Sequence, residues 1–395
     1  MMNQIDKSVN KPELEAFLKE EITASGRMSF ADFMAHCLYH PRWGYYMGQR
    51  DRIGKGGDFF TSSSVHSLFG RLIGRQLHQM WELLGRGEFT IAEQGAGEGH
   101  LCLDVLDGIA EEFPEFYARL TYLLIEISPD NQQRQQNLLA HHKERLRWVA
   151  ADDCEPFEGC FLSNELVDAF PVHLVEKRDG KLQEVFVVNS ADGFSEELCP
   201  LSTPLIEEYF SRIGVGPVEG NRGEVNLAAV DWMRYVASRV SRGFVMTIDY
   251  GYPAQEYYSP LRRNGTLMCY YRHTSSEKPF QNIGNQDITA HVDFSTLQIV
   301  GQEEGLESLY FAEQYRFLMG LGFVESLIEL EQREPDEKHA RALRLTLKNL
   351  ILPDGGMGET FKVLIQGKGV GTPELLCSRP ISGIPMPPGG FPPSF

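Results

Sequence analysis

The sequence lacks the cysteine pattern of a protein held together by disulfides or by a zinc ribbon. Its seven cysteines are an odd number and contain no CxxC pair. Disulfide frameworks and structural zinc sites need paired or closely spaced cysteines. We therefore expect reduced thiols, and no metal site.

Positive charge is also scarce. The chain has 37 lysines and arginines against 55 aspartates and glutamates, which gives a formal net charge of −18. A negative field of this size repels phosphate groups. It argues against nonspecific binding to nucleic acid or to an anionic membrane, and leaves neutral or cationic partners open.

Long apolar runs, targeting signals and internal repeats are absent as well. No apolar stretch approaches the ~20 residues that span a bilayer. The first residues, MMNQIDKSVNKPELEAFLKEEI, mix both charges and have neither an apolar secretory core nor an Arg-rich, acid-poor transit pattern. The expected location is therefore the cytoplasm.

What the 395 residues do contain is an alternation of strands and helices. Apolar residues at spacings of three and four predict helices over 11–40 and 65–84. Short apolar strands then alternate with helices at about 98–113 and 128–142, which indicates an α/β fold with a parallel, Rossmann-like sheet covered by helices on both faces. The predicted strands are FTIAEQ (89–94), LTYLLIEI (120–127), LRWVAA (146–151), GCFLSN (159–164) and GFVMTIDYG (243–251).

A large insertion separates the fourth and fifth of these strands. It contains a predicted hairpin with Asp179 and Gly180 at its turn, and a helix leads back to the sheet. A final strand at 361–369 is expected to close the sheet beside an antiparallel neighbour. The predicted divisions are 1–87 (N-terminal helices and a lid), 88–169 (first half of the sheet), 170–242 (insertion, a substrate or partner subdomain), 243–377 (rest of the sheet) and 378–395 (a Pro/Gly-rich, disordered tail).

The first strand of the sheet runs into a glycine loop, EQGAGEGH. Glycines allow the backbone to turn sharply and approach a ligand, and the following helix offers free amides. A dinucleotide fingerprint needs GxGxxG, but the third glycine here, Gly99, comes one residue early. With Glu93, Gly95 and Gly97 the pattern is ExGxGxG, which resembles the first motif of S-adenosylmethionine-dependent methyltransferases, where the loop holds the methionine end of the cofactor.

Acidic residues also end the second and third strands. Glu126 is placed to accept both ribose hydroxyls, as acids at this position do in dinucleotide-binding folds. Asp152 or Asp153 could accept the adenine amino group. A structural alternative remains open, because Asp153 could simply cap a following helix. The three positions together favour a methyltransferase over a dehydrogenase.

Five separated blocks resemble the MidA family of class I methyltransferase-fold proteins. They cover most of the chain, about residues 10 to 367: GDFFTSSSVHSLFG (57–70), EQGAGEGHLCLDVL (93–106), LLIEIS (123–128), SNELVDAFPV (163–172) and DITAHVDFSTL (287–297). The resemblance implies S-adenosylmethionine as cofactor and methylation of a protein arginine, since mitochondrial relatives dimethylate a core subunit of respiratory complex I and assist its assembly. The sequence departs from the family at TSSS, where a proline and a glutamate are usual.

The exit of the fourth strand carries the residues we expect to contact the methyl acceptor. Ligands gather at the carboxyl ends of parallel strands, which places Asn164, Glu165 and Asp168 beside the cofactor loop. A carboxylate can bind a guanidinium and help to remove its proton, so Glu165 is the first candidate, with Asp168 in support. Alternatively, Asn164 caps a short helix whose first turn contains both acids.

Two further segments are candidate parts of the site. In DITAHVDF, His291 could lie between the carboxylates of Asp287 and Asp293 and act as a proton acceptor, or it could be a structural histidine. In KGGDFFT, Asp58 and Thr61 could form hydrogen bonds from a lid over the cofactor, or belong to a surface turn.

Two other functions stay open at this point. One is methylation of a small molecule or another nucleophile on the same fold. The other is a chaperone-like assembly factor that binds a client protein, and S-adenosylmethionine, without turnover.

Overall fold

The computed structural model of the chain describes residues 9–48, 66–352 and 358–380. The predicted lid with Asp58 and Thr61, the TSSS departure, and residues 381–395 of the predicted tail lie outside these ranges. All seven cysteines lie inside them, and each is a buried free thiol. In the described part of the chain, no helix is long and apolar enough to cross a bilayer.

The described residues form thirteen α-helices: α1 Pro12–Ser25, α2 Phe30–Tyr39, α3 Leu68–Leu83, α4 His100–Glu112, α5 Pro114–Arg119, α6 Pro129–Leu138, α7 Leu205–Ile213, α8 Leu227–Arg239, α9 Ala254–Tyr257, α10 Phe294–Glu303, α11 Gln314–Gly320, α12 Phe323–Arg333 and α13 Glu337–Lys348. Short 3-10 helices occur at Tyr45–Met47, Ala140–His142, Val167–Ala169 and Leu376–Ser378.

Sixteen strands accompany them: β1 Met28–Ser29, β2 Phe89–Gln94, β3 Leu120–Ile125, β4 Leu146–Val149, β5 Phe157–Asn164, β6 His173–Arg178, β7 Lys181–Ser190, β8 Gly193–Cys199, β9 Arg222–Val225, β10 Val240–Tyr252, β11 Met268–Tyr271, β12 Thr274–Ser276, β13 Asp287–Thr289, β14 Val292–Asp293, β15 Glu307–Glu313 and β16 Phe361–Lys368. The five predicted strands correspond to β2, β3, β4, β5 and β10.

The chain divides into two compact units, each made of three segments. The first unit comprises the described residues of Met1–Phe59, Val167–Met233 and Gly251–Ile299. The second unit comprises those of Phe60–Leu166, Arg234–Tyr250 and Val300–Phe395. The predicted divisions run consecutively along the chain, whereas these units are interleaved, because segments that follow the carboxyl ends of β5 and β10 belong to the first unit.

The second unit contains the predicted sheet. Its strands lie in the order β15-β16-β10-β5-β2-β3-β4. All neighbours from β10 to β4 are parallel, and β16 is antiparallel to both β10 and β15. This confirms the predicted α/β fold with a mostly parallel sheet, including the antiparallel partner of the last strand.

The core of the second unit forms where the helical and strand periodicities meet. Leu72 on α3, Val105 on α4 and Ile91 on β2 are completely buried in one apolar cluster. Close packing of α3 against α4 depends on Gly70, because a Cβ atom there would lie 2.5 Å from the Cβ of Asp104. These contacts hold α4, which follows the glycine loop, against its neighbour.

The first unit has an antiparallel sheet with the order β1-β7-β6-β9, and β8 pairs with β7. The predicted hairpin is confirmed as β6 and β7, with Asp179 and Gly180 both at positive φ (51° and 74°), the conformation of a type I′ turn. A small sheet, β12-β11-β13, and the pairing of β14 with the end of β10 complete the strands of this unit. Leu14 of α1, Phe33 of α2 and Val185 of β7 share its core.

Candidate active site

The glycine loop turns through backbone conformations that suit glycine. Gly95, Gly97 and Gly99 have φ values of 75°, 55° and 94°, a region that L-residues with side chains seldom adopt. A Cβ on Gly95 would lie 2.8 Å from Cδ1 of Leu166. Gly99 immediately precedes α4, and no side chain caps that end of the helix. The loop is therefore a tight turn that presents a helix N-terminus.

Glu126 is held by three donors in the second unit. Its carboxylate accepts hydrogen bonds from the backbone N–H of Ser128 at 2.8 Å, from Nδ2 of Asn131 at 3.3 Å and from Nε2 of Gln135 at 3.3 Å. The residue is 8% exposed. These donors fix the orientation of the carboxylate, as the predicted ribose-binding role requires.

Gln135 links Glu126 to the glycine loop, and sequence reasoning missed it. Its Nε2 also donates to the carbonyl oxygen of Gly97 at 2.7 Å, and its Oε1 accepts from Nε1 of Trp148 at 2.9 Å. The side chain is completely buried. Its helix, α6, reads PDNQQRQQNL, and nothing in that polar run distinguishes one glutamine from another.

Glu93 lies inside the second unit at 2% exposure. Its Oε2 accepts a hydrogen bond of 2.6 Å from the hydroxyl of Tyr122. Burial raises the pKa of Glu93 to about 7, and the charge of Glu126 adds to the increase, while the Tyr122 bond opposes it. Its predicted contact with the cofactor stays a prediction.

The adenine candidates, Asp152 and Asp153, are exposed in a turn after β4. The alternative that Asp153 caps a helix is wrong, because the next element is β5. Ile127, next to Glu126, is 58% exposed. An apolar side chain beside the ribose candidate is suited to packing on a flat base, and its place at the strand end is the sequence signal that could have found it.

The sheet register places the exit of β5 beside the glycine loop. Gln94 of β2 pairs with Ser163, and Ile248 of β10 pairs with Asn164. These pairings bring Asn164 and Glu165 to the same edge as Gly95, as predicted from the parallel topology.

Glu165 is one of the few non-glycine residues with a positive φ, at 52°. Its N–H donates to the carbonyl of Ile248 at 2.9 Å, and Nδ2 of Asn164 donates to its Oε1 at 3.2 Å. A non-glycine residue in this region is strained and is worth examining for function. Contacts with Ile248 and Asn164 of the same chain therefore hold Glu165 in this unfavourable backbone conformation.

The alternative in which Asn164 caps a short helix that contains both acids is wrong in part. A short helix does follow β5, the three-residue 3-10 helix Val167–Ala169, and Asp168 lies in its first turn. Glu165 lies outside it, and within the described ranges no hydrogen bond reaches the amide oxygen of Asn164, whereas a cap would accept one from the backbone. Helix capping therefore does not account for Glu165.

Asp249 is a second residue that sequence reasoning missed. It is completely buried near the end of β10. Its Oδ2 accepts from the N–H of Leu166 at 3.2 Å, and its Oδ1 accepts from the N–H of Tyr250 at 2.8 Å. Asp249 thus fixes the backbone just after Glu165. Its place near the end of a buried strand was a visible signal, as it was for Glu126.

Asp168 belongs to the first unit, where it is 6% exposed. Its carbonyl oxygen accepts from the N–H of Ala290 at 2.9 Å, and the next carbonyl, of Ala169, accepts from the hydroxyl of Tyr39 at 2.9 Å. The backbone around Asp168 is therefore anchored on two sides within its own unit. Its supporting role stays a prediction.

The position of His291 between two carboxylates and its role as a proton acceptor stay predictions. Burial lowers its pKa to about 4, and the charge of Arg262 acts in the same direction, whereas flanking carboxylates would raise it. Asp293 accepts from the hydroxyls of Tyr209 and Thr296 at 2.9 and 2.8 Å. Asp287 accepts from the hydroxyl of Tyr46. His291 is thus a neutral imidazole at ordinary pH.

Comparison with known proteins identifies the family to which this chain belongs. Residues 72–312 match a family of S-adenosyl-L-methionine-dependent methyltransferases. The chain belongs to that family. The predicted resemblance to MidA proteins is confirmed, and the dehydrogenase alternative is wrong.

A solved structure supports the same assignment. It is a COG1565 superfamily member from Burkholderia thailandensis bound to S-adenosyl-homocysteine, and it is similar to this chain with a TM-score of 0.85 and 32% identity, over 95% of this chain and 98% of the other. S-adenosylmethionine is therefore the cofactor of this methyltransferase, as predicted.

Curated relatives are named mitochondrial protein arginine methyltransferases. The Drosophila melanogaster NDUFAF7 homologue is 29% identical over 73% of this chain and 70% of its own length. Human NDUFAF7 is 25% identical over 87% and 81%. These mitochondrial relatives contradict the expected cytoplasmic location.

The residues of the second unit fit this cofactor. The uncapped N-terminus of α4 and the turn at Gly95, Gly97 and Gly99 leave backbone amides and carbonyls for its methionine end. Glu126 would accept the ribose hydroxyls, and Ile127 and Asp152 or Asp153 follow the strand ends where adenine would bind.

Proposed function

We propose that this methyltransferase methylates an arginine side chain of a protein, and that Glu165 binds the guanidinium. The relatives named above as protein arginine methyltransferases support the choice of acceptor. The observation that carries the proposed role of Glu165 is its strained backbone, φ 52°, at the carboxyl end of β5. The family resemblance suggests a subunit of a respiratory complex as the client protein.

The chemistry explains why a fixed carboxylate would be needed. A guanidinium is protonated at ordinary pH and its charge is delocalised, so its nitrogens are poor nucleophiles. A carboxylate that binds two of its N–H groups holds positive charge away from the third nitrogen and aligns that nitrogen. The same carboxylate can accept the proton that the attacking nitrogen loses.

The backbone conformation at Glu165 suits this role because hydrogen bonds fix it on both sides. The bond from its N–H to Ile248 and the bond from Leu166 to Asp249 hold the backbone on both sides. Asn164 contacts the carboxylate directly at 3.2 Å. When bound, S-adenosylmethionine supplies an electrophilic methyl group on a sulfonium, and Glu165 positions the acceptor toward that end of the sheet.

The first test combines labelling with product analysis. Purified enzyme, S-adenosylmethionine with a labelled methyl group and a lysate are incubated, and labelled protein is hydrolysed in acid. We expect labelled methylarginine. Glu165→Gln should remove the label while S-adenosylhomocysteine affinity stays unchanged, because the substitution removes the charge that binds the guanidinium and leaves the glycine loop intact.

Glu158→Gln is the matched control, because Glu158 lies at the opposite end of the same strand, β5, where it pairs with Arg242 at the surface. Methylation that survives Glu165→Gln would remove this residue from the mechanism. Label on another residue type, or on a small molecule alone, would replace arginine as the acceptor. Gly97→Val is expected to abolish cofactor binding. Complementation of a deletion strain by this variant would instead favour an assembly factor without turnover.

A further inference from the structure

A cluster of two imidazoles and one carboxylate lies in the second unit, apart from the residues assigned above. Asp107 is on α4, and His141 and His142 are in the 3-10 helix that follows α6. Oδ1 of Asp107 lies 3.2 Å from Nε2 of His141 and 3.0 Å from Nε2 of His142. The Nε2 atoms of two neighbouring imidazoles thus both face one carboxylate oxygen.

The two separations between the carboxylate oxygen and the imidazole nitrogens, 3.2 and 3.0 Å, are close to those of a tetrahedral zinc site. Zinc binds imidazole nitrogen and carboxylate oxygen at ~2.0–2.2 Å, so adjacent ligand atoms of a tetrahedron lie about 3.3 Å apart by simple geometry. The three candidate ligand atoms all lie within 4.8 Å of one another. An ion could enter with small side-chain rotations.

A neighbouring hydroxyl orients one of the imidazoles. The Tyr117 hydroxyl lies 2.6 Å from Nδ1 of His142, and the guanidinium of Arg145 lies over the Tyr117 ring at 5.4 Å. Histidines that bind metals usually donate their other ring N–H to such a partner, which fixes the tautomer. His142 is itself only 4% exposed, so its Nε2 is held in place.

The geometry points to a binding site for a zinc-type divalent cation, with Asp107, His141 and His142 as protein ligands and water in the fourth position. Two nitrogens and one oxygen favour borderline first-row ions over magnesium or calcium, which prefer oxygen ligands only. The spacing in the sequence does not indicate this cluster, because Asp107 lies 34 residues before His141 and outside any recognised metal-binding pattern.

A bound ion would connect two elements that support the cofactor site. The helix with Asp107, α4, follows Gly99 of the glycine loop, and the helix before the histidines, α6, begins shortly after Glu126. A metal ion bound between the middle of α4 and the 3-10 helix after α6 would restrict the relative movement of the two helices. We therefore expect zinc to raise the thermal stability of the chain.

The test uses the full-length chain after treatment with a chelator. Calorimetric titration with zinc chloride should show one saturable site, and titration with magnesium chloride should show none. Asp107→Asn and His141→Ala should abolish that site, and zinc should raise the melting temperature of the wild-type chain only. Tyr117→Phe should weaken binding by about 10- to 100-fold, since it removes the orienting hydroxyl.

Both ligand variants change exposed side chains, at 53% and 56%, so the fold should tolerate them. His339→Ala is the matched control, because His339 is an exposed histidine beside Glu334 at 3.9 Å and should leave zinc binding unchanged. Two results would overturn the proposal: zinc binds the wild-type chain no more tightly than it binds His141→Ala, or magnesium binds as tightly as zinc. The cluster would then be only a hydrogen-bonded surface group.

Discussion

The two units bury carboxylates in different ways. In the second unit, Glu126 accepts from the N–H and amide groups of Ser128, Asn131 and Gln135, which lie two to nine residues away in the sequence. In the first unit, Asp287 and Asp293 accept from the nearby N–H groups of Ile288 and Ser295. They also accept from the hydroxyls of Tyr46 and Tyr209, which are 241 and 84 residues away. The first-unit acids therefore add distant tyrosine hydroxyls to their local donors.

We expect this difference to separate a ligand-binding acid from a structural one. A carboxylate that local amide donors orient at the end of a strand lies where it can serve a ligand. A carboxylate buried against tyrosines uses its oxygens to hold parts of the chain together. We expect substitutions in the second unit to change cofactor binding, and those at the tyrosine pairs to change stability.

The largest effect on cofactor affinity should come from Gly95→Ala. The alanine must adopt φ 75°, and its Cβ would lie 2.8 Å from Leu166. The left-handed conformation costs an alanine about 1–2 kcal/mol, so the free loop should relax away from it. Restoring the binding conformation would then cost that amount on binding, which corresponds to about tenfold in affinity. Calorimetry with S-adenosylhomocysteine should show at least about a tenfold loss of affinity.

Gly87→Ala is the control for this prediction. Gly87 lies in the same unit just before β2, and a Cβ atom there meets nothing within 4 Å. Its affinity for S-adenosylhomocysteine should equal that of the wild-type chain. Equal affinity in Gly95→Ala as well would mean that the loop does not contact the ligand through its backbone.

The same contrast explains what the sequence could reveal. The sheet was predictable because its apolar strands alternate with helices, and the glycine loop, Glu126 and Glu165 were found because they follow strand ends. Gln135 could not be predicted, since only its contacts with Gly97 and Trp148 distinguish it from the other glutamines of α6.

The setting of His291 also could not be read from the sequence. Asp287 and Asp293 flank it in the chain, but their hydrogen bonds to Tyr46 and Tyr209 come from other elements. Burial and Arg262 then control its pKa. Charge spacing along a chain does not reveal desolvation, which depends on the packed structure.

Glu93 gives a second prediction because it is a tyrosine-paired acid inside the second unit. Its pKa is raised from 4.5 to about 7, so folding favours the protonated form. The stability from this group is complete below pH 4.5 and is lost as pH rises through about 7, by on the order of 3 kcal/mol. Glu93→Gln removes that loss, so at pH 8 its melting temperature should exceed that of the wild-type chain.

At pH 5 the two melting temperatures should be close, because the wild-type carboxyl is then mostly protonated and the glutamine oxygen can also accept from Tyr122. Glu88→Gln is the control, since Glu88 is 76% exposed in the same unit and should show no such pH dependence. A similar decrease at both pH values would mean that Glu93 is stabilising as a charged group.

Tyr46→Phe tests the first unit, with a smaller expected effect. The Tyr46 hydroxyl donates to both oxygens of Asp287 at 2.8 and 2.9 Å. Its removal leaves a buried acceptor without that donor, which costs about 1–3 kcal/mol. The melting temperature should fall, while affinity for S-adenosylhomocysteine should stay unchanged, because the predicted ligands of the cofactor lie in the other unit or outside the described residues.

A double-mutant cycle with Asp287→Asn shows whether the hydrogen bond between Tyr46 and Asp287 accounts for the loss of stability. If it is, the combined loss in Tyr46→Phe/Asp287→Asn should be smaller than the sum of the single losses, because each substitution already removes the same interaction. Tyr271→Phe, at a half-buried tyrosine of the same unit, should change little. Additive losses, or a weakened affinity for S-adenosylhomocysteine, would contradict the division between structural and ligand-binding acids.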